Sequence, residues 1–174
     1  MDKKELLKLI SIMLQYPDEE IYTMELQQYI DAIEETEIAN FIIDFGRYYK
    51  ENGLSVLQEN YVQAFDFNDK MNLYLTYSKL GDEKERGQLL AELKDIYKFA
   101  GFELVSSELP DYLPLLLEFV SHADENIRRD LLYRFRETII EMQKILADKK
   151  SPYANLLQGL VLIINSITLK EVLL

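Results

Sequence analysis

The chain has 174 residues, 48% of them hydrophobic, which is one domain's worth of sequence and enough to bury a core. It has no cysteine and a single histidine, so disulfides, thiolate metal sites and multi-histidine zinc sites are excluded. A net charge of −12 opposes binding to the phosphates of nucleic acid, and six glycines and four prolines are too few for a turn-rich sheet protein.

Helical periodicity dominates from the first residues. The spacing predicts helices near 2–15, 19–34, 37–51, 54–65, 82–100, 111–122, 125–148 and 152–167, with a short helical piece over 70–79. Ile38, Phe41, Ile42, Phe45, Tyr48 and Tyr49 follow the i, i+3, i+4, i+7 rule, as do Leu89, Leu90, Leu93, Ile96, Tyr97 and Ala100. The same stripe runs from Ile127 to Leu146. No segment alternates apolar and polar residues, so the expected fold class is all-α, a single compact domain over 1–174 with no sheet.

Boundaries follow from cap chemistry. Pro17 stops the first helix, and Asn52-Gly53 stops the third. Asp82 with Glu85 forms a capping-box pattern after Gly81. Gly101 sits where a left-handed C-terminal residue is wanted. Asp111 can cap the helix that follows, with Pro114 inside its first turn, where no amide donor is needed. Ser151-Pro152 reads as a capping hydroxyl followed by proline. His122 falls at a helix end, where the dipole favours a cation.

The N-terminus, Met-Asp-Lys-Lys-Glu-Leu-Leu-Lys, is charged throughout and predicts no targeting segment. The most apolar run, Leu156–Ile164, is half a membrane span and reads as a buried helix. Residues 1–45 carry eleven acids against three bases, and residues 127–150 carry seven bases against four acids. An acidic surface suits a basic partner. Nothing assembles a catalytic site: there is no glycine-rich phosphate loop, no Gly-x-Ser-x-Gly and no repeated Glu-x-x-His.

Three segments carry a family signal. Tyr61-Val-Gln-Ala-Phe-Asp66 comes first. Leu73-Tyr-Leu-Thr-Tyr77 follows, with Gly81-Asp82 and Arg86-Gly87. The third is Glu108-Leu-Pro-Asp-Tyr-Leu-Pro-Leu-Leu-Leu-Glu-Phe119. In this order they resemble the NarJ-type respiratory nitrate reductase assembly chaperones (delta subunit), within the TorD-like group of redox-enzyme maturation proteins. Tyr112 departs from the pattern, because that family's signature has histidine after Pro-Asp.

The resemblance implies a TorD-like helical bundle and a cytoplasmic, monomeric, non-enzymatic chaperone. Such a protein binds the N-terminal amphipathic helix of the nitrate reductase catalytic (alpha) subunit. It supports molybdenum-cofactor insertion before membrane docking, and it neither holds a cofactor stably nor inserts into the membrane. The partner-binding residues implied are Tyr61, Phe65, Tyr74, Tyr77, Arg86, Asp111, Tyr112, Leu116 and Glu118. Tyr61 and Phe65 stand as apolar wall, Asp111 as helix cap or as acceptor for a partner donor, Glu118 as polar anchor, and Arg86 as partner of a motif carboxylate. Two alternatives remain: a permanent helical subunit of a redox complex, and a chaperone for another molybdoenzyme.

Overall fold

The computed structural model describes residues 1–67, 71–81, 84–105 and 107–168. Nine α-helices lie among them: α1 Lys3–Met13, α2 Met24–Asp31, α3 Glu37–Asn52, α4 Leu54–Tyr61, α5 Tyr77–Leu80, α6 Lys84–Phe99, α7 Leu113–His122, α8 Glu125–Asp148 and α9 Tyr153–Thr168. No strand is present among the described residues. The one extended pairing is an isolated antiparallel bridge between Tyr74 and Tyr112.

The caps explain where the helices begin and end. Asp2 and Glu5 exchange a capping box at α1, and Thr36 Oγ1 accepts from the Ala39 amide at α3. Gly101 has φ +83°, and the Phe102 amide reaches back to the Tyr97 carbonyl to close α6. Arg128, buried, caps α7 by donating to the carbonyls of Val120 and Ala123. A cation thus sits at the C-terminal dipole of α7 beside His122 in its last turn.

Several expectations are corrected. The helix expected over 19–34 begins only at Met24, because Asp18 Oδ1 accepts from the amides of Glu20 and Ile21 and holds that stretch in a turn. Thr23 then caps α2. Of the segment expected to be helical over 70–79, the described part bends through Leu73, bridges to Tyr112 at Tyr74 and turns helical only at Tyr77, since its backbone pairs with the segment before α7; residue 70 lies outside the described residues. The stretch expected as helix to residue 65 passes into a π turn over Val62–Asp66. Asp111 does not cap α7; Tyr112 occupies the cap position without a side-chain bond. Ser151 Oγ accepts no hydrogen bond, so α9 starts without that cap. The expected capping box of Asp82 lies outside the described residues.

The core is one connected cluster. α7 lies along α1, while α9 packs between α3 and α8. Leu7, Ile10 and Met13 of α1 and Leu113, Leu116 and Leu117 of α7 are fully buried. Ser11 Oγ donates to the Pro114 carbonyl at 2.6 Å and fixes the register of the two helices. A Cβ on Gly46 would come within 2.7 Å of Ile30, so α2 and α3 cross where only glycine fits.

Candidate functional site

The three motifs meet around the start of α7. Leu75 donates its amide to the Asp111 carbonyl at 3.0 Å, and Leu113 donates to the Leu73 carbonyl at 2.7 Å. These two bonds lay the second motif against the third. Side chains then lock the pair. Asp111 has no exposed surface, and its Oδ2 accepts from the Thr76 amide at 3.1 Å and from the Thr76 hydroxyl at 2.5 Å. Arg86 reaches in from α6, its guanidinium 3.5 Å from Asp111 Oδ2 and its Nε donating to Thr76 Oγ1 at 2.9 Å. The expected pairing of Arg86 with a motif carboxylate is therefore present. Tyr77 supports the guanidinium from below, its ring centroid 5.3 Å away.

This buried clasp follows from the cost of burying charge. A carboxylate out of water is tolerated only when donors surround it, and Thr76 and Arg86 supply them. Asp111 Oδ1 has no hydrogen-bond partner. Asp111 is thus a structural centre, and its side chain does not reach the surface.

Tyr61 and Phe65 are also buried. They stack edge-on with each other at 5.0 Å and with Tyr153 of α9 at 5.7 and 5.1 Å. Leu116 is fully buried under α1. These three motif residues build core from which surface groups rise. Tyr112 is half-buried, and a hydrogen bond with the Tyr61 phenol anchors it. Tyr74 donates to Glu108 Oε2 at 2.5 Å and packs its ring 5.4 Å from that of Tyr112. Burial raises the Tyr112 phenol above its usual value, and burial with the Glu108 carboxylate raises Tyr74. Both phenols stay protonated and neutral well above pH 7.

A continuous band of surface runs over α7. One cleft of about 400 Å³ is lined by Tyr16, Ile21, Glu108, Tyr112, Leu115 and Glu118, among others. A second, about 380 Å³, shares Leu115 and Glu118 and adds Phe102, Glu103 and Val105. A third, about 440 Å³, shares Tyr16 and adds Glu59, Val62 and Phe67. Tyr16 is 46% exposed and Phe67 82% exposed. Carboxylates of Asp18, Glu59, Glu103, Glu108 and Glu118 rim the band, and no lysine or arginine is among its described lining residues. A larger cleft of about 600 Å³ between α3, α8 and α9 contains no motif residue.

Of the nine residues expected to bind a partner, Tyr112 and Glu118 line the band. Tyr74 stands behind it through Glu108, and Arg86, Asp111 and Tyr77 form the clasp beneath. The sequence reading missed Thr76, Tyr16, Leu115 and Phe102. Thr76 was legible as the one aliphatic hydroxyl in its motif. Tyr16, from a distant helix end, carried no such mark. No group of three or more His, Cys, Asp or Glu residues that could hold a metal occurs among the described residues, and no described helix is long and apolar enough to cross a membrane.

Comparison with known proteins places these features. The family model "Nitrate reductase delta subunit" matches residues 24–156. The chain is 34% identical over 173 residues to a protein of Bacillus subtilis described as a nitrate reductase molybdenum cofactor assembly chaperone, NarJ, covering 98% of this chain and 94% of that one. It is 27% identical to the NarJ chaperone of Escherichia coli K12, over 92% of this chain and 70% of the relative. Its fold matches a crystal structure from Archaeoglobus fulgidus described as a redox enzyme maturation protein, with a TM-score of 0.68, 25% identity, and coverage of 95% of this chain and 94% of that one.

Proposed function

Because this chain belongs to the nitrate reductase delta subunit family of molybdenum cofactor assembly chaperones, we propose that its α7 band receives the N-terminal amphipathic, cationic helix of a nitrate reductase catalytic subunit. The chaperone works as a cytoplasmic monomer. It holds the client while molybdenum cofactor is inserted and releases it before the complex docks at the membrane. It performs no chemistry of its own.

One observation carries this reading: an apolar floor of Tyr16, Tyr112, Leu115 and Phe102 bordered by carboxylates and by no lysine or arginine among the described lining residues. A helix with an apolar stripe flanked by lysine and arginine satisfies both halves of that surface. The carboxylates steer its approach, and the apolar floor holds it. The buried motif residues act at one remove: Asp111, Thr76 and Arg86 fix the loop that carries Glu108 and Tyr112.

The test is a peptide copying the first ~20 residues of the cognate catalytic subunit, a length of about 30 Å as a helix. The peptide should bind, gain helicity and lose affinity as salt rises. Tyr16→Ala and Leu115→Asp should each weaken it about tenfold or more. A complex that forms equally well with the client's N-terminus deleted would place recognition elsewhere. One that never dissociates on client maturation would favour a permanent subunit.

A further inference from the structure

A second apolar cleft, unrelated to the α7 band, opens between α6 and α8. Its volume is about 450 Å³, its floor is Ile96 from α6 with Ile127 and Leu131 from α8, and Phe99 of α6 stands at its edge. Phe99 is 89% exposed, so the ring stands as an unpartnered lip on an apolar floor. Single exposed apolar residues are ordinary on protein surfaces; an exposed aromatic continuous with an open apolar cleft is not. The rim is acidic: Glu92 and Asp95 on α6, Asp130 on α8. The one cation among the described lining residues, Arg134, is already engaged, donating to Glu92 Oε1 at 2.8 Å across the two helices. That ion pair ties the cleft walls together; Asp130 lies 3.7 Å from Arg129 Nε in an exposed pair of small worth, and Asp95 stands as the main rim charge. Asp130 is 74% exposed at its side chain. No lining residue is shared with the α7 band.

We infer that the α6–α8 cleft is a second docking surface that takes an amphipathic helical segment with an apolar side chain flanked by lysine or arginine. The apolar side chain fills the floor against Phe99, and a flanking cation meets Asp95, with Asp130 reached by exchange of its exposed Arg129 contact. Charge complementarity selects this occupant: an acidic or neutral apolar segment would leave the rim carboxylates facing apolar groups, at a desolvation cost with no return. With two such surfaces, the protein holds two cationic helices at once.

The test counts bound peptides. The probe is a synthetic helix of about 18 residues, leucine on one face and lysine on the other, which fits either surface. Titration calorimetry on the full chain should give two peptides per protein. Asp95→Lys with Phe99→Ala, both at exposed positions and so neutral for folding, should remove one peptide and leave the other. Glu118→Lys in the α7 band should instead weaken the other by about tenfold. Two sites that both survive Asp95→Lys with Phe99→Ala, or a single site that those changes do not weaken, would overturn the inference. A single site abolished by them and untouched by Glu118→Lys would support this cleft and count against the α7 reading.

Discussion

Within the signature segment, Asp111, Leu113, Leu116 and Leu117 are fully buried, whereas Tyr112 and Leu115 are half-buried and Glu118 is exposed. One short stretch therefore has two faces under different demands. The inner face must satisfy a charge in the core, which fixes residue identity at Asp111, Thr76 and Arg86 together. The outer face must fit a partner, which fixes only chemistry: an aromatic, a leucine, a carboxylate. A motif read along the chain merges these roles, and only the fold separates them.

Breaking the inner face should have the largest effect. Asp111→Ala leaves Arg86, 12% exposed at its side chain, buried without its counter-charge, and should cost about 3–5 kcal/mol in denaturant unfolding. Thr76→Val, which removes one hydroxyl to a carboxylate, should cost about 1.5–3 kcal/mol. The Thr76→Val protein that remains folded should bind the client peptide within about threefold of the parent, because the backbone bonds of Leu75 and Leu113 still hold the loop. Affinity lost in step with stability would merge the two faces again.

High pH probes the inner face by another route. Burial raises the phenols of Tyr22, Tyr61, Tyr97 and Tyr153 above the ordinary value. Their folded-state values exceed the unfolded one, so their stabilising contribution is complete below about pH 10 and is lost as pH climbs beyond it, when the unfolded chain alone releases protons. Melting temperature should hold steady from pH 7 to 9 as far as these groups govern it, then fall steeply, with tyrosinate absorbance rising only on unfolding. Tyrosinate appearing in the still-folded protein near pH 10 would contradict this burial.

The outer face sharpens the comparison with smaller numbers. Glu118→Lys places a cation among the band carboxylates and should weaken a cationic peptide by about tenfold, or ~1.4 kcal/mol, while leaving melting unchanged. Tyr112→His should add a pH dependence between 6 and 8 beyond that of the parent, since the Tyr112 phenol, raised by burial, stays neutral there. The smallest contrast lies at the caps. Thr36→Ala should cost about 1 kcal/mol, because its hydroxyl accepts from Ala39. Ser151→Ala should change stability by less than about 0.5 kcal/mol, because its hydroxyl accepts nothing.

Much of the helical fold was legible because its signals are local. The stripe from Ile127 to Leu146 gave α8 with both ends right, and Gly53 and Gly101 marked turns that need a positive φ. What failed was non-local. Residues 71–76 carry helix-compatible residues, yet they form no helix because Asp111 and Leu113, more than thirty residues away, bond with the backbone of Leu75 and Leu73. Asp111 looked like a cap because aspartate before a helix usually is one, and nothing nearby in the chain signals that Thr76 and Arg86 claim it first. The band itself was half legible: Tyr112 and Glu118 sit in the motif, but Tyr16 and Phe102 join them only when α1 and the end of α6 pack beside α7.

The central claim, that the outer face of α7 is where the client segment sits, is tested most directly by amide NMR of the labelled protein titrated with the N-terminal peptide of the catalytic subunit. The account predicts the largest shifts at Tyr16, Tyr112, Leu115 and Glu118, with Thr76 and Asp111 little moved. Shifts confined to the cleft between α3, α8 and α9, with the α7 residues unperturbed, would contradict it.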